Sequence, residues 1–321
     1  MSRIKKILSG IGILVSVVAF AQQQAQYSMY MINNYTLNPA VGGTEDYTDL
    51  KISYRTQWVD FGGAPKDFYV SGHTAIGKVK YADESVKPMP FHGVGGYIYN
   101  DITGPSSRLG AYGSYAYHLP LTSKLTASFG AFLGFQQYRL DASQLNFYSD
   151  DVQPETAVNG KQSKFLPDAN IGGWLYHKNY YIGASVFQIL NNGLNFDDVK
   201  NSVEGKMNSH FFATAGYRVP INDDFTWVPS FVVKAVSPVP MQFDINSKFR
   251  YQDLAWVGFS YRKKDAFILL AGVTLLEHWD IAYSYDITTS NLKNYSAGSH
   301  EFLLGYRLSK ADGAKPTSQF W

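Results

Sequence analysis

Between Gln242 and Arg262 polar and apolar residues alternate with a period of two. Gln242, Asp244, Asn246, Lys248 and Arg250 fall on one face, and Phe243, Ile245, Ser247, Phe249 and Tyr251 on the other. Successive side chains of a strand point to opposite faces, so this pattern predicts a strand with one polar and one apolar side. Gln252-Asp253 reads as a turn. Ala255, Val257, Phe259 and Tyr261 then alternate against Trp256, Gly258, Ser260 and Arg262. Each arm runs for about ten residues, the length that crosses a bilayer at a tilt of about 45°. Strands of soluble sandwiches are nearer five or six residues.

The alternation recurs along the chain. It predicts strands at 50–57, 67–76, 92–100, 107–118, 124–140, 168–177, 180–188, 210–219, 226–236, 242–251, 254–262, 266–275, 278–286 and 299–308. The predicted fold class is all-β, a transmembrane antiparallel β-barrel of about fourteen strands of the outer-membrane type, an even number that leaves both chain ends on the periplasmic side. Phe129, Leu133, Trp279, Ile281, Phe302 and Leu304 fall on the predicted lipid face, which implies outer-membrane lipid as the surrounding partner. Lys51, Arg55, Lys248, Asp286, Glu301 and Arg307 fall on the opposite face. A charge on the lipid face costs roughly 2–4 kcal/mol at the midplane, so these residues are expected in the lumen or near a membrane edge. Their mixed signs suggest an internal salt-bridge network more than a selective pore.

The connections support the same topology. Outer-membrane barrels alternate long outer loops with short inner turns. With the barrel's N-terminal end inside, 141–167, 189–209 and 287–298 are outer loops, and 119–123, 178–179, 252–253 and 276–277 are inner turns. Two connections break the rule: 77–91 is a long inner one and 263–265 a short outer one.

Residues 1–21 read as a cleaved signal peptide. Arg3, Lys5 and Lys6 form the basic start, Ile7 to Val18 the apolar core, and Ala19-Phe20-Ala21 the cleavage site. Residues 22–49 show no strand period and are expected as an N-terminal lead, in the periplasm or in the barrel mouth. The barrel then occupies 50–308, and 309–321 form a polar C-terminal tail. The location implied is the cell outer membrane of a Gram-negative envelope.

Composition narrows the function. Aromatics make up 16% of the 321 residues, with 24 Tyr, 21 Phe and 28 Gly, and charged residues only 17%. This is strand-forming material. A net charge of +2 gives no footprint for a nucleic-acid partner. The chain has no cysteine, which excludes disulfides, thiolate chemistry and cysteine-based metal sites. Its seven histidines form no H-x-x-x-H or H-x-H pair, so no metal site and no cofactor are predicted. No nucleophile elbow or P-loop is present, so no catalytic residue is assigned. Asp150-Asp151 and Asp197-Asp198 lack the spaced oxygen ligands of a calcium loop and read as solvated charges. Gly93, Gly95, Gly96, Gly172 and Gly173 sit inside strands, where glycine permits close packing and curvature.

Three blocks in the first part of the chain resemble the PorP/SprF family. The first is Gln26-Tyr27-Ser28-Met29-Tyr30 through Asn33, with Leu37-Asn38-Pro39-Ala40 and Gly42-Gly43. The second is Arg55-Thr56-Gln57-Trp58, then Gly63-Ala64-Pro65-Lys66 and Ser71. The third is Gly93 to Asp101 with Gly104. The run Gln22-Gln23-Gln24-Ala25 stands where the family pattern has an Asp-Pro pair. The resemblance implies a non-enzymatic component of the type IX secretion system, with a possible part in gliding. Its implied partners are the C-terminal domain of an exported adhesin and other secretion components, including the periplasmic ring. Its signature positions here are Asn33, Asn38, Pro39, Arg55, Trp58, Gly95, Asn100 and Asp101. These residues either shape the mouth and the lead or act structurally, through Asn-Pro turns and interfacial packing of Trp58. A transport barrel, either a porin or a hydrophobic-solute channel, is the alternative; an acyl-chain hydrolase is a third reading, without a Ser/His/Asp set to carry it.

Overall fold

The computed structural model describes residues 26–79, 83, 85–141, 143, 161–194 and 206–308. The predicted signal peptide, Gln22 to Ala25 and the C-terminal tail from Ser309 to Trp321 lie outside the described residues. The strands are β1 (Thr48–Thr56), β2 (Lys66–Ile76), β3 (Phe91–Thr103), β4 (Ser106–Pro120), β5 (Thr126–Asp141), β6 (Lys161–Tyr176), β7 (Tyr180–Phe187) and β8 (His210–Tyr217). They continue as β9 (Val219–Pro220), β10 (Phe225–Val236), β11 (Val239–Tyr251), β12 (Ala255–Arg262), β13 (Ala266–Leu275), β14 (Trp279–Thr288) and β15 (Ser299–Leu308). All neighbours pair antiparallel, β10 joins β11, and β15 returns to pair with β1, so the sheet closes on itself. The ladder breaks at Arg218, and β9 continues β8 against the same partner, β10. The fifteen strands therefore build fourteen staves, the predicted number.

Two strands begin earlier than their alternation suggests. β11 starts at Val239, which leaves 237–238 as a two-residue connection. β6 starts at Lys161, not at 168, so the expected loop 141–167 contracts to 142–160. Pro167 hides this extension in the sequence, because proline removes a ladder donor. Here its carbonyl faces away from β5 and accepts from Asn192 Nδ2 at 2.6 Å. β6 pairs with β7 only from Ile171 onward, so the missing N–H breaks no bond.

The two faces separate as the alternation predicts. Phe129 and Leu133 are each 66% exposed on the outer face, whereas Glu301 is fully buried and Lys248 and Asp286 nearly so. The lumen is not empty. Barrels of eight strands are just filled by their own side chains, while those of sixteen to eighteen leave an aqueous channel. Fourteen staves lie between these cases, and the chain fills the space with its own lead. Residues 26–47 do not lie in the periplasm or sit only at the mouth, as expected for the lead, but run through the barrel interior. Met29, Tyr35, Ala40 and Val41 have no exposed surface. Two short 3-10 turns, Asn34–Thr36 and Pro39–Val41, fold the lead back on itself.

Several tyrosines pack inside the barrel. Tyr27 packs edge-on against Tyr69 with ring centroids 4.7 Å apart, and Tyr35 against Phe132 at 5.0 Å. Burial raises the Tyr27 and Tyr30 hydroxyls well above their ordinary pKa, so both stay protonated as neutral hydrogen-bonding groups. Glycine makes the close approach possible at two points. A Cβ at Gly93 would lie 1.8 Å from the Gly42 carbonyl oxygen, and one at Gly172 would lie 2.0 Å from Asn38 Oδ1. Gly93→Leu is accordingly expected to force the lead from its seat, since even modest overpacking costs about 1–3 kcal/mol. Limited chymotrypsin digestion checks this: cleavage within 26–47 should be slow in the parent and rapid in the variant, while the barrel stays intact.

Candidate functional site

The lead is held by a cluster of charges on five strands. Arg55 (β1) reaches Asp286 (β14) through Nη2 at 2.8 Å and Glu301 (β15) through Nη1 at 3.5 Å. Arg262 (β12) pairs with Asp244 (β11) at 3.0 Å and lies 3.5 Å from Asp286. Ser28 of the lead sits in the middle. Its backbone N–H donates to Glu301 at 2.6 Å and its hydroxyl to Asp286 at 2.7 Å, while Arg55 Nη1 donates to that hydroxyl at 2.7 Å. Arg262 donates to the Tyr27 carbonyl at 3.4 Å. Buried ions are tolerated when paired and hydrogen-bonded, and this cluster draws part of its bonding from the lead.

Further along, the lead is gripped by polar side chains of the wall. Asn33 Nδ2 donates to Ser71 at 2.9 Å and to Tyr69 at 3.3 Å. Asn38 caps the second 3-10 turn by accepting from Ala40 N–H at 3.0 Å, with Pro39 at the first position of that turn. Its amide donates to the carbonyls of Gly173 and Ala184 at 2.9 and 3.1 Å. Asn38 thus both caps the turn and bolts it to β6 and β7. His118 Nε2 donates to the Gly42 carbonyl at 2.8 Å, and Gly43 N–H donates to His73 Nδ1 at 3.2 Å. Gly95 faces the same channel, where a Cβ would meet the Gly72 carbonyl at 2.4 Å and the Tyr35 hydroxyl at 2.5 Å.

Above the lead the lumen opens into a vestibule of about 590 Å³ at the long-loop end. Gln26 lies at its floor, and Trp58, Asp101 and Lys263 are in its wall. Trp58 lies in the β1–β2 connection with φ of 44°, and its N–H donates to Ser299 Oγ at 3.1 Å. Val59 N–H donates to the Gly298 carbonyl at 2.9 Å, so the loop is braced against the β14–β15 connection. Two non-glycine residues with positive φ, Trp58 and Asp60, store strain in this loop. Asp101 is buried and receives Arg108 Nη2 at 2.8 Å.

The positions singled out by the sequence resemblance therefore divide among three places. Asn33, Asn38, Pro39, Arg55 and Gly95 meet at the lead, Trp58 and Asp101 stand at the vestibule, and Asn100 faces outward from β3 between Phe68 and Leu109. Ser28, Arg262, Asp286 and Glu301 complete the cluster around Arg55. Their inward parity and unlike charges are visible in the sequence, but their convergence across five strands is not. Among the described residues, no group of three His, Asp or Glu side chains could hold a metal ion. Asp150-Asp151 and Asp197-Asp198 lie outside the described residues.

A family profile described as type IX secretion system membrane protein PorP/SprF matches residues 19–306, nearly the whole barrel and its lead. The chain belongs to the PorP/SprF family. It is an outer-membrane β-barrel of that secretion system's membrane family. Among solved structures, a FadL homologue of Pseudomonas aeruginosa is 10% identical, covering 87% of this chain and 93% of its own, with a TM-score of 0.52. The CymD monoaromatic hydrocarbon channel is 11% identical, covering 88% of this chain and 93% of its own, with a TM-score of 0.51. At such identities the likeness concerns the barrel fold alone. No curated protein matches the chain in sequence.

Proposed function

We propose that this PorP/SprF protein is a closed docking component of type IX secretion. It receives or anchors the C-terminal domain of an exported adhesin at its long-loop mouth, and it works without catalysis. The observation that carries this reading is the lead. It fills the lumen beneath the vestibule and is bonded to the wall at Ser28, Asn33, Asn38 and Gly42. A barrel blocked along its axis by its own chain is suited to holding a partner at the surface, not to passing solutes. The long loops then face the cell exterior, with the short turns and the secretion ring on the periplasmic side. In this reading residues 1–21 are removed on export, and the signature residues secure the lead and shape the mouth.

The test is capture of a tagged copy from gently solubilised outer membranes, with partners identified by mass. Recovery of a large exported protein or of secretion components supports the reading. Recovery of the barrel alone, while the secretion machinery stays assembled, contradicts it.

A further inference from the structure

We propose that the vestibule is a receptor site for a lysine or arginine side chain carried on an extended segment of a partner protein, with Asp67 as its counter-ion. The inference rests on the docking reading and names the chemistry of the contact. Asp67 on β2 and Asp101 on β3 are directly opposed in the ladder and both face the lumen. They are 1% and 5% exposed. Like charges placed directly opposite one another are unfavourable in a sheet.

Asp101 is compensated by Arg108 at 2.8 Å and by the Thr103 hydroxyl at 3.0 Å. Asp67 is not compensated in this way. Its Oδ2 accepts from the neutral amide of Gln57 at 2.7 Å, and its Oδ1 has no hydrogen-bond partner among the described residues. The neighbouring guanidinium of Arg55 is committed to Asp286 and Glu301. A buried carboxyl satisfied only by one amide carries its negative charge at a cost that an incoming cation would offset.

The position a cation would take is the one Gln57 now covers. Gln57 is half-buried in the vestibule wall, so an incoming guanidinium or ammonium can displace its amide and donate to Oδ2. Trp58, Pro65, Pro240 and Met241 supply apolar walls for the aliphatic stem of such a side chain. A volume of about 590 Å³ holds several residues, which favours a peptide segment over a single small cation. The vestibule lies beside the β1–β2, β10–β11 and β12–β13 connections, at the end of the barrel that the docking reading gives to the partner.

The experiment uses the full mature barrel in detergent, with calorimetric titration of N-acetyl-arginine amide and its uncharged isostere N-acetyl-citrulline amide. The arginine probe is expected to bind roughly tenfold more tightly, the scale of a hydrogen bond to a charged group. Asp67→Asn should abolish that preference, and Gln57→Ala should strengthen it by uncovering the carboxylate. A purely structural Asp67 would not produce the second result. Heat-modifiable migration confirms that each variant is folded. Equal binding of the two probes, or an unchanged preference in Asp67→Asn, overturns the proposal. Membrane capture provides the remaining arm. Loss of the partner in Asp67→Asn but not in the parent supports the proposal, and equal capture by both overturns it while leaving the docking reading intact. Capture by neither removes the reading on which it rests.

Discussion

Replacing Arg55 with alanine is expected to release the lead while leaving the barrel closed. Arg55 neutralises Asp286 and Glu301 together and also holds the Ser28 hydroxyl. Removing one partner from a buried ion cluster strands the remaining charges, a loss of about 3–5 kcal/mol. Most of that cost falls on the docked state of the lead, because the staves themselves are held by continuous ladders on both sides of β1. Hydrogen exchange over residues 27–33 should therefore accelerate on the order of a hundredfold or more, with exchange in β13 and β14 little changed. Ser28→Ala removes the hydrogen bonds to Asp286 and Arg55 but strands no charge, and should cost about 2 kcal/mol. Equal protection of the lead in Arg55→Ala and the parent would mean that the cluster does not hold it.

The second large effect is expected on deleting residues 26–47. The inward aromatics of β2 to β5, among them Tyr69, Tyr97, Tyr112 and Phe132, pack with lead side chains in one buried cluster. Without the lead these rings face an unfilled lumen, and the polar lower wall around Lys248, Arg250 and Arg307 becomes wettable. The sheet still closes through β15 and β1, so the product should be a folded barrel with a continuous aqueous path. In planar bilayers it should show steady conductance where the complete chain shows none. A deletion variant that folds and closes, yet stays non-conducting, would show that wall side chains alone seal the lumen.

The barrel is legible in the sequence because lipid enforces the period of two. Every outward position on β13 or β15 must be apolar, and every charge must turn inward, so the alternation is nearly unbroken there. The upper half of β6 is harder to read. It has strand neighbours only on its β5 side, carries Pro167, and rises where lipid no longer selects its outward residues. The lead is hardest of all. Its turns satisfy bonds to the wall at Asn38, Gly42 and Gly43, and no local period encodes a segment whose shape is set by its container. Two signals do point to it. An aqueous lumen is lined by polar residues, yet Tyr97, Tyr99, Tyr112 and Phe132 lie on inward positions. Glycines at 93, 95, 130 and 172 also face inward, where no curvature alone requires all four. Each admits an atom of the lead within the space of a Cβ. Arg55 was legible as a signature residue and as an inward charge, but not as the seat of Ser28, because that requires β14 and β15 to close onto β1.

On this reading the protein is a barrel stopped by its own N-terminal lead. Single-channel recording of the full mature chain in a planar bilayer tests it most directly. A sealed membrane is expected, with stable openings appearing only when residues 26–47 are removed or Arg55 is replaced. Steady ohmic conductance from the complete, folded chain would contradict it and would favour a transport barrel.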